Sequence, residues 1–162
     1  MLKYNAKNIF KSMQLDSENK FWQARQSSYA ATTRLAPDVL SDDIIVPVEN
    51  LLEMIDYCTD LVTNTGLKMC LVGHIGDGNL HPQFAINLEQ EDEFKKYIEI
   101  KSLIYEKAVQ LDGTISAEHG VGLEKISYIE NIIDKNALEY MKLVKKIFDP
   151  NNILNPGKIF KL

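Results

Sequence analysis

A chain of 162 residues, 45% hydrophobic and 25% charged, has the length and make-up of one globular domain with a real core. A formal net charge of −5 leaves no basic footprint for nucleic acid or an anionic membrane, and no stretch approaches the ~18 apolar residues of a membrane span. The two cysteines, Cys58 and Cys70, form neither a C-x-x-C metal pair nor a disulfide framework, and "MLKYNAKNIFKSMQ" is not a secretory signal, so a reducing, cytoplasmic setting is expected.

Residues 1–40 read as a helical segment. "SENKFWQARQSSYAATTRL" offers a cap at Asp16 or Ser17, then Phe21, Trp22, Arg25 and Tyr29 at three-to-four spacing. "APDVLSDD" (36–43) reads as a loop. Residues 41–162 are expected to form one domain. "DIIVPV" is a short β-branched strand. "ENLLEMIDYCTDLVTNTG" is a helix with Leu51, Met54/Ile55, Cys58 and Leu61/Val62 on one stripe and Gly66 as its stop. "LKMCLVGHI" and "LHPQFAI" are strands. "EDEFKKYIEIKSLIYEKAVQLDG" is a helix with Tyr97, Ile100, Ile104, Ala108 and Leu111 inward, acidic at its start. "TISAEH" (114–119) is a last strand, and "DKNALEYMKLVKKIF" a last helix that stops before Pro150. The order β-α-β-β-α-β predicts an α+β fold of ferredoxin-like type: an antiparallel sheet with helices on one face, plus extra N- and C-terminal helices. Pro82 fits poorly, since it falls in the third strand, which this topology makes central and where a missing N–H is costly.

Only three histidines occur, and all lie in two glycine-punctuated stretches: His74 and His81 in "GHIGDGNLHPQF", His119 in "GTISAEHGVG". Asp77-Gly78 is a strong two-residue hairpin signal. Taken as the turn, it sets His74 directly opposite His81, with Cβ atoms ~4.5–5.5 Å apart. Two imidazoles at that spacing can converge on one ion, with Zn–N bonds of about 2.0–2.1 Å. Val72 and Gln83 share their face, while Leu71, Ile75, Leu80, Phe84 and Ile86 point to the helices. A histidine pair on a solvent face can equally be inert. Glu118 completes a set of two histidines and one carboxylate, the kind that leaves a coordination position open. Strand alternation points Glu118 and His119 oppositely, so one could ligate while the other takes a proton. Gly120 and Gly122 let backbone approach closely there. Cys58 reads as core, Cys70 as a buried thiol on the histidine face, and Arg25 as a surface arginine or an anion clamp.

"GHIGDGNLHPQF", "DGTISAEHGVGLEKISYI" and "VKKIFDPNNILNPGKIF", in this order, together with "FWQARQSSYAA", resemble the C-terminal half of the FAD-linked 2-hydroxyacid oxidoreductases. That family includes the flavin subunit of glycolate oxidase, D-lactate dehydrogenases and D-2-hydroxyglutarate dehydrogenase, and the glycolate oxidase type is the nearest in pattern. The resemblance implies that His74, His81 and Glu118 hold a divalent metal (zinc, manganese or iron). It implies that His119 is the catalytic base at the substrate hydroxyl, and that Arg25 and Gln83 bind substrate. Asn155 and Lys158 of "LNPGK" would lie against FAD. Tyr29 and Ser41 stand where the D-2-hydroxyglutarate enzyme has a threonine and a lysine for its second carboxylate, which favours a small 2-hydroxy monocarboxylic acid such as glycolate or D-lactate. No Gly-rich phosphate loop opens a helix. The family binds FAD mainly through a separate N-terminal domain, so the resemblance implies an FAD-binding domain in cis or trans and an electron-transfer subunit as partners, and this chain alone is expected to be inactive. Two other readings of the same site are a stand-alone metal-dependent hydrolase and a non-catalytic binding module.

Overall fold

One long antiparallel ladder organises the computed structural model, which describes residues 15–161, with side chains from residue 19 onward. Strands β1 (Asp38–Ser41) and β2 (Ile44–Ile45) pair with one edge of β4 (Asn79–Ile86), and β3 (Lys68–His74) pairs with its other edge. The final predicted strand is reduced to a single bridge, in which Ile45 and Thr114 exchange both backbone bonds at 3.0 and 2.9 Å. Strand order is therefore that of the ferredoxin-like arrangement, and the fold is an open antiparallel sheet flanked by helices. The cap expected at Asp16 or Ser17 lies outside the described side chains.

Helix α3 (Leu51–Thr65) buries Leu51, Met54 and Cys58, and Gly66 ends it in the left-handed conformation. Helix α4 (Glu91–Gln110) buries Tyr97, Ile100, Ile104 and Ala108. Both pack on the sheet face that carries Ile44, Leu80, Phe84 and Ile86. Burial of each such side chain contributes about 1.5–3 kcal/mol. Burial also pushes the Cys58 thiol up to about 12, so this cysteine is core and not a thiolate ligand. Helices α1 (Leu15–Gln26) and α2 (Ser28–Thr32) precede the sheet, and α2 rests on its opposite face, where Thr32 Oγ1 donates to Gln83 Oε1 at 3.2 Å. Helices α5 (Ile126–Ile132) and α6 (Lys135–Phe148) follow, with Asp134 capping α6 by accepting from the amides of Asn136 and Ala137.

Three expectations are corrected. Residues 38–41, read as part of a loop, form β1, whose four residues pair in register with β4. The hairpin between β3 and β4 closes with a four-residue loop, 75–78: the Asp77 amide donates to His74 and the Gly78 amide to Ile75. His74 consequently faces Asn79, and His81 faces Val72. The register is two residues away from the predicted one, which leaves the side chains within the paired strands on their expected faces. Only Gly78 needs a positive φ, at 76°, and a Cβ there would meet the Val46 carbonyl oxygen at 2.0 Å. Ile75, expected to pack on the helices, is instead 67% exposed at the loop tip.

Pro82 does sit in the central strand. Strands β1 and β2 hold a single register against β4, so Asp42 falls opposite Pro82 and Asp43 opposite His81. The Asp42 amide donates to the Pro82 carbonyl at 3.0 Å. The return bond cannot form because proline has no N–H, and the edge strand is interrupted at this point.

Candidate metal and substrate site

The interruption sets the chemistry of His81. Its Nδ1 lies 3.2 Å from the Asp42 carbonyl oxygen that Pro82 leaves without a ladder partner. A carbonyl only accepts, so Nδ1 carries the hydrogen and Nε2 faces outward from the strand pair. Nε2 lies 2.9 Å from Glu118 Oε1, and the same oxygen is 3.5 Å from His74 Nε2. One carboxylate oxygen thus sits between two imidazole nitrogens. The rings of His74 and His81 meet edge to face at 5.4 Å, and His119 stacks on His81 at 5.2 Å with its Nε2 4.0 Å from Glu118 Oε1. Three histidines and one glutamate are brought together even though His74 and His81 are not direct cross-strand partners. His81 is buried, whereas His74, Glu118 and His119 are about half exposed.

The segment that carries Glu118 and His119 is not a strand. Residues 116–119 form a turn around the Asp43 carboxylate, so strand alternation does not separate the two side chains, and both lie beside His81. Asp43 Oδ2 accepts from the amides of Ala117, Glu118 and His119 at 2.8, 3.0 and 2.9 Å and from Ser116 Oγ at 3.1 Å. Lys125, 3% exposed, donates to the Asp43 carbonyl at 2.9 Å. Burial raises the Asp43 carboxyl, but the three amides and Lys125 outweigh it and hold the group below the usual carboxylate range. Burial likewise draws Lys125 below its ordinary value, against the opposing pull of Asp43 and Asp42. Gly120 and Gly122 follow with φ of 78° and 54°. Open space surrounds the position of a Cβ at each, so they supply a left-handed turn and not close backbone approach.

Asp43 is a candidate site residue that the sequence pattern did not reveal. One donor atom each from Asp43, His81, Glu118 and His119 lies within 4.8 Å of the others, a group that shares His81 and Glu118 with the expected ligand set. The Asp43 carboxylate stands on the Nδ1 side of His81, 3.9 Å from it, and Oδ2 is committed to backbone amides. The Nε2 side belongs to His74 and Glu118. Imidazole and carboxylate donors in that arrangement suit zinc, manganese or iron.

Gln83, 6% exposed, lies two residues from His81 on the same face under Thr32. Cys70 is on that face too, opposite Gln83. Arg25 is exposed on α1, and no hydrogen bond or ion pair joins it to the histidine cluster among the described residues. A cavity of about 470 Å³ adjoins the cluster, lined by Ser41, His119, Gly120, Lys125 and Lys158 among others. The tail reaches it because the Ile159 amide donates to Gly122 at 2.8 Å. Asn155 is exposed and accepts from the Lys158 amide at 3.3 Å.

The site is thus a histidine–carboxylate cluster on one face of an open antiparallel sheet, beside a cavity that Lys158 of the tail also lines. The family profile described as "FAD linked oxidases, C-terminal domain" matches residues 2–159, and the chain belongs to that family. It is 40% identical over 138 residues to the glycolate oxidase subunit GlcD of Bacillus subtilis, covering 85% of this chain and 29% of the relative. It is 30% identical over 159 residues to the mitochondrial D-lactate dehydrogenase [cytochrome] of Arabidopsis thaliana, covering 97% of this chain and 28% of the relative. It is 46% identical over 90 residues to the D-2-hydroxyglutarate dehydrogenase of Stutzerimonas stutzeri, covering 54% of this chain and 19% of that protein. The chain therefore spans under a third of the length of these relatives. No helix among the described residues is long and apolar enough to cross a membrane.

Proposed function

We propose that this chain supplies the metal- and substrate-binding part of an FAD-dependent 2-hydroxyacid oxidoreductase of the glycolate or D-lactate type. The observation that carries this reading is the position of Glu118 Oε1 between His81 Nε2 and His74 Nε2, with His119 stacked alongside. His74, His81 and Glu118 would hold a divalent metal, which would supply Lewis acidity that lowers the pKa of the substrate hydroxyl. His119 is close enough to that group to take the hydroxyl proton and exposed enough to meet substrate. Lys158 and Asn155 would lie against bound FAD, whose chemistry would be that of a hydride acceptor.

Gln83 and Arg25 are the proposed substrate-binding residues, Arg25 because its planar fork matches a carboxylate. Ser41 lines the cavity beside His119 and itself carries no charge, which favours a monocarboxylic acid, since Lys125 in the same cavity is already bonded to Asp43 and Lys158 is taken up by the flavin assignment. Lys158, on the same cavity, and Asn155 are assigned to the flavin side. The flavin-binding polypeptide is the expected partner, in cis or in trans. Helix α6 is consistent with a large partner: Tyr140, Leu143, Val144, Ile147 and Phe148 form an apolar stripe that is 52–81% exposed.

Calorimetry with zinc and with manganese tests this reading. The chain is expected to bind one ion, and His74→Ala, His81→Ala and Glu118→Gln are each expected to abolish or strongly weaken binding. The metal-loaded chain is then expected to bind glycolate or D-lactate in preference to D-2-hydroxyglutarate. Metal binding that survives all three substitutions would overturn the ligand assignment.

A further inference from the structure

The contacts of Asp43 join two segments of the site that are far apart in sequence. Asp43 is wholly buried. Its Oδ2 gathers the amides of three consecutive residues and the Ser116 hydroxyl, and Lys125 Nζ stands 3.8 Å away. Its Oδ1 has no hydrogen-bond partner, and His81 Nδ1 lies 3.9 Å from it. Asp43 is also the residue of the edge strand that falls opposite His81. The side chain therefore spans the gap between the strand that carries His81 and the turn that carries Glu118 and His119. That turn belongs to no helix or strand, and these bonds join residues 74–76 positions apart in the chain.

We propose that Asp43 is a positioning residue, which fixes Glu118 and His119 against His81 before any metal or substrate arrives. This deepens the reading given above, since it names what sets the geometry of that site. A ligand-bearing turn with no regular secondary structure would otherwise sample many conformations, and each would have to be selected against on binding. Amides bound to an ionised, buried carboxylate form charge-assisted bonds, among the stronger ones available to backbone. The carboxylate acts through the backbone of residues 117–119, leaving their side chains free.

Amide hydrogen exchange on the metal-free chain, followed by zinc calorimetry, tests the proposal. In the wild type the amides of Ala117, Glu118 and His119 are expected to exchange slowly without metal. In Asp43→Asn those three are expected to exchange fast while the amides of Leu80 and Phe84 stay protected, showing that the sheet is intact. Zinc affinity is expected to fall about 10- to 100-fold, the usual size of an outer-shell effect. The cobalt(II) absorption spectrum of the loaded variant is expected to keep the wild-type band positions, because no ligand has been exchanged. A changed cobalt spectrum would instead make Asp43 a ligand and overturn the proposal. So would unchanged zinc affinity in the variant, or wild-type amides that gain protection only when zinc is added. Should the variant fail to fold, the wild-type exchange measurement still decides. A wild type that binds no metal would sink the ligand assignment of the preceding subsection while leaving the exchange comparison intact.

Discussion

Asp42 and Asp43 are neighbours in sequence and both are buried, yet they serve opposite faces of the sheet. Asp42 turns to the helices, where Tyr97 donates at 3.1 Å, Tyr105 also donates, and Lys101 pairs with it at 3.1 Å. Asp43 turns to the histidines and is satisfied largely by backbone amides. Burial and the negative charge of Asp42 push both tyrosine hydroxyls far above their ordinary range, so they stay protonated donors. A carboxylate satisfied by side chains ties helix to sheet and carries stability. One satisfied by the amides of a turn fixes where that turn's side chains point.

The comparison breaks most visibly at Asp42. Asp42→Ala would leave Lys101, 5% exposed, facing the exposed Glu124 carboxylate at 4.0 Å in place of a buried one at 3.1 Å. It is expected to destabilise the fold by about 3–5 kcal/mol in urea unfolding. A cost under about 1 kcal/mol would show that this cluster is not structural. Asp43→Asn keeps the volume and the Lys125 bond to the residue 43 carbonyl while neutralising the carboxylate 3.8 Å from Lys125, so its expected cost is smaller, about 1–3 kcal/mol. The ranking is expected to invert for metal affinity, and equal losses in both properties for both variants would erase the distinction.

Asp149 offers a third case, at the tail. Lys145 beside it, and the amides of Ile153 and Leu154 at 2.9 Å each, hold its carboxyl below the ordinary 3.8 despite burial. A depressed folded value means the restraint is complete above pH ~3.8 and is lost as pH falls through the lower folded value. The Ile153 and Leu154 amides are therefore expected to exchange slowly at pH 5 and to lose protection as acid protonates Asp149. Protection that persists in strong acid would assign the tail's order to packing instead. The smallest effect is expected at the exposed Glu91–Lys95 pair, 2.7 Å apart one turn along α4. Lys95→Ala is expected to cost less than about 0.5 kcal/mol in thermal unfolding.

Much of this protein was readable from local pattern. The stripes Met54–Cys58 and Tyr97–Ile100–Ile104–Ala108 specify α3, α4 and the faces they bury, because helical period is a property of a dozen adjacent residues. The shared face of His74, His81 and Gln83 followed from strand parity, which survives a shift of two. The grouping of His74, His81, Glu118 and His119 was legible too, since histidine occurs nowhere else in the chain. Register was not, because it depends on how the loop 75–78 seats against Val46, whose amide donates to the Gly78 carbonyl at 3.1 Å. Neither was the use of Pro82, whose missing N–H matters only once Asp42 lies opposite it. Asp43 was the least legible of all. Read alone, "SDD" looks like the end of a loop. Its carboxylate acquires its role from amides more than seventy residues away, and no period in the sequence reports a bond between segments that only folding brings together.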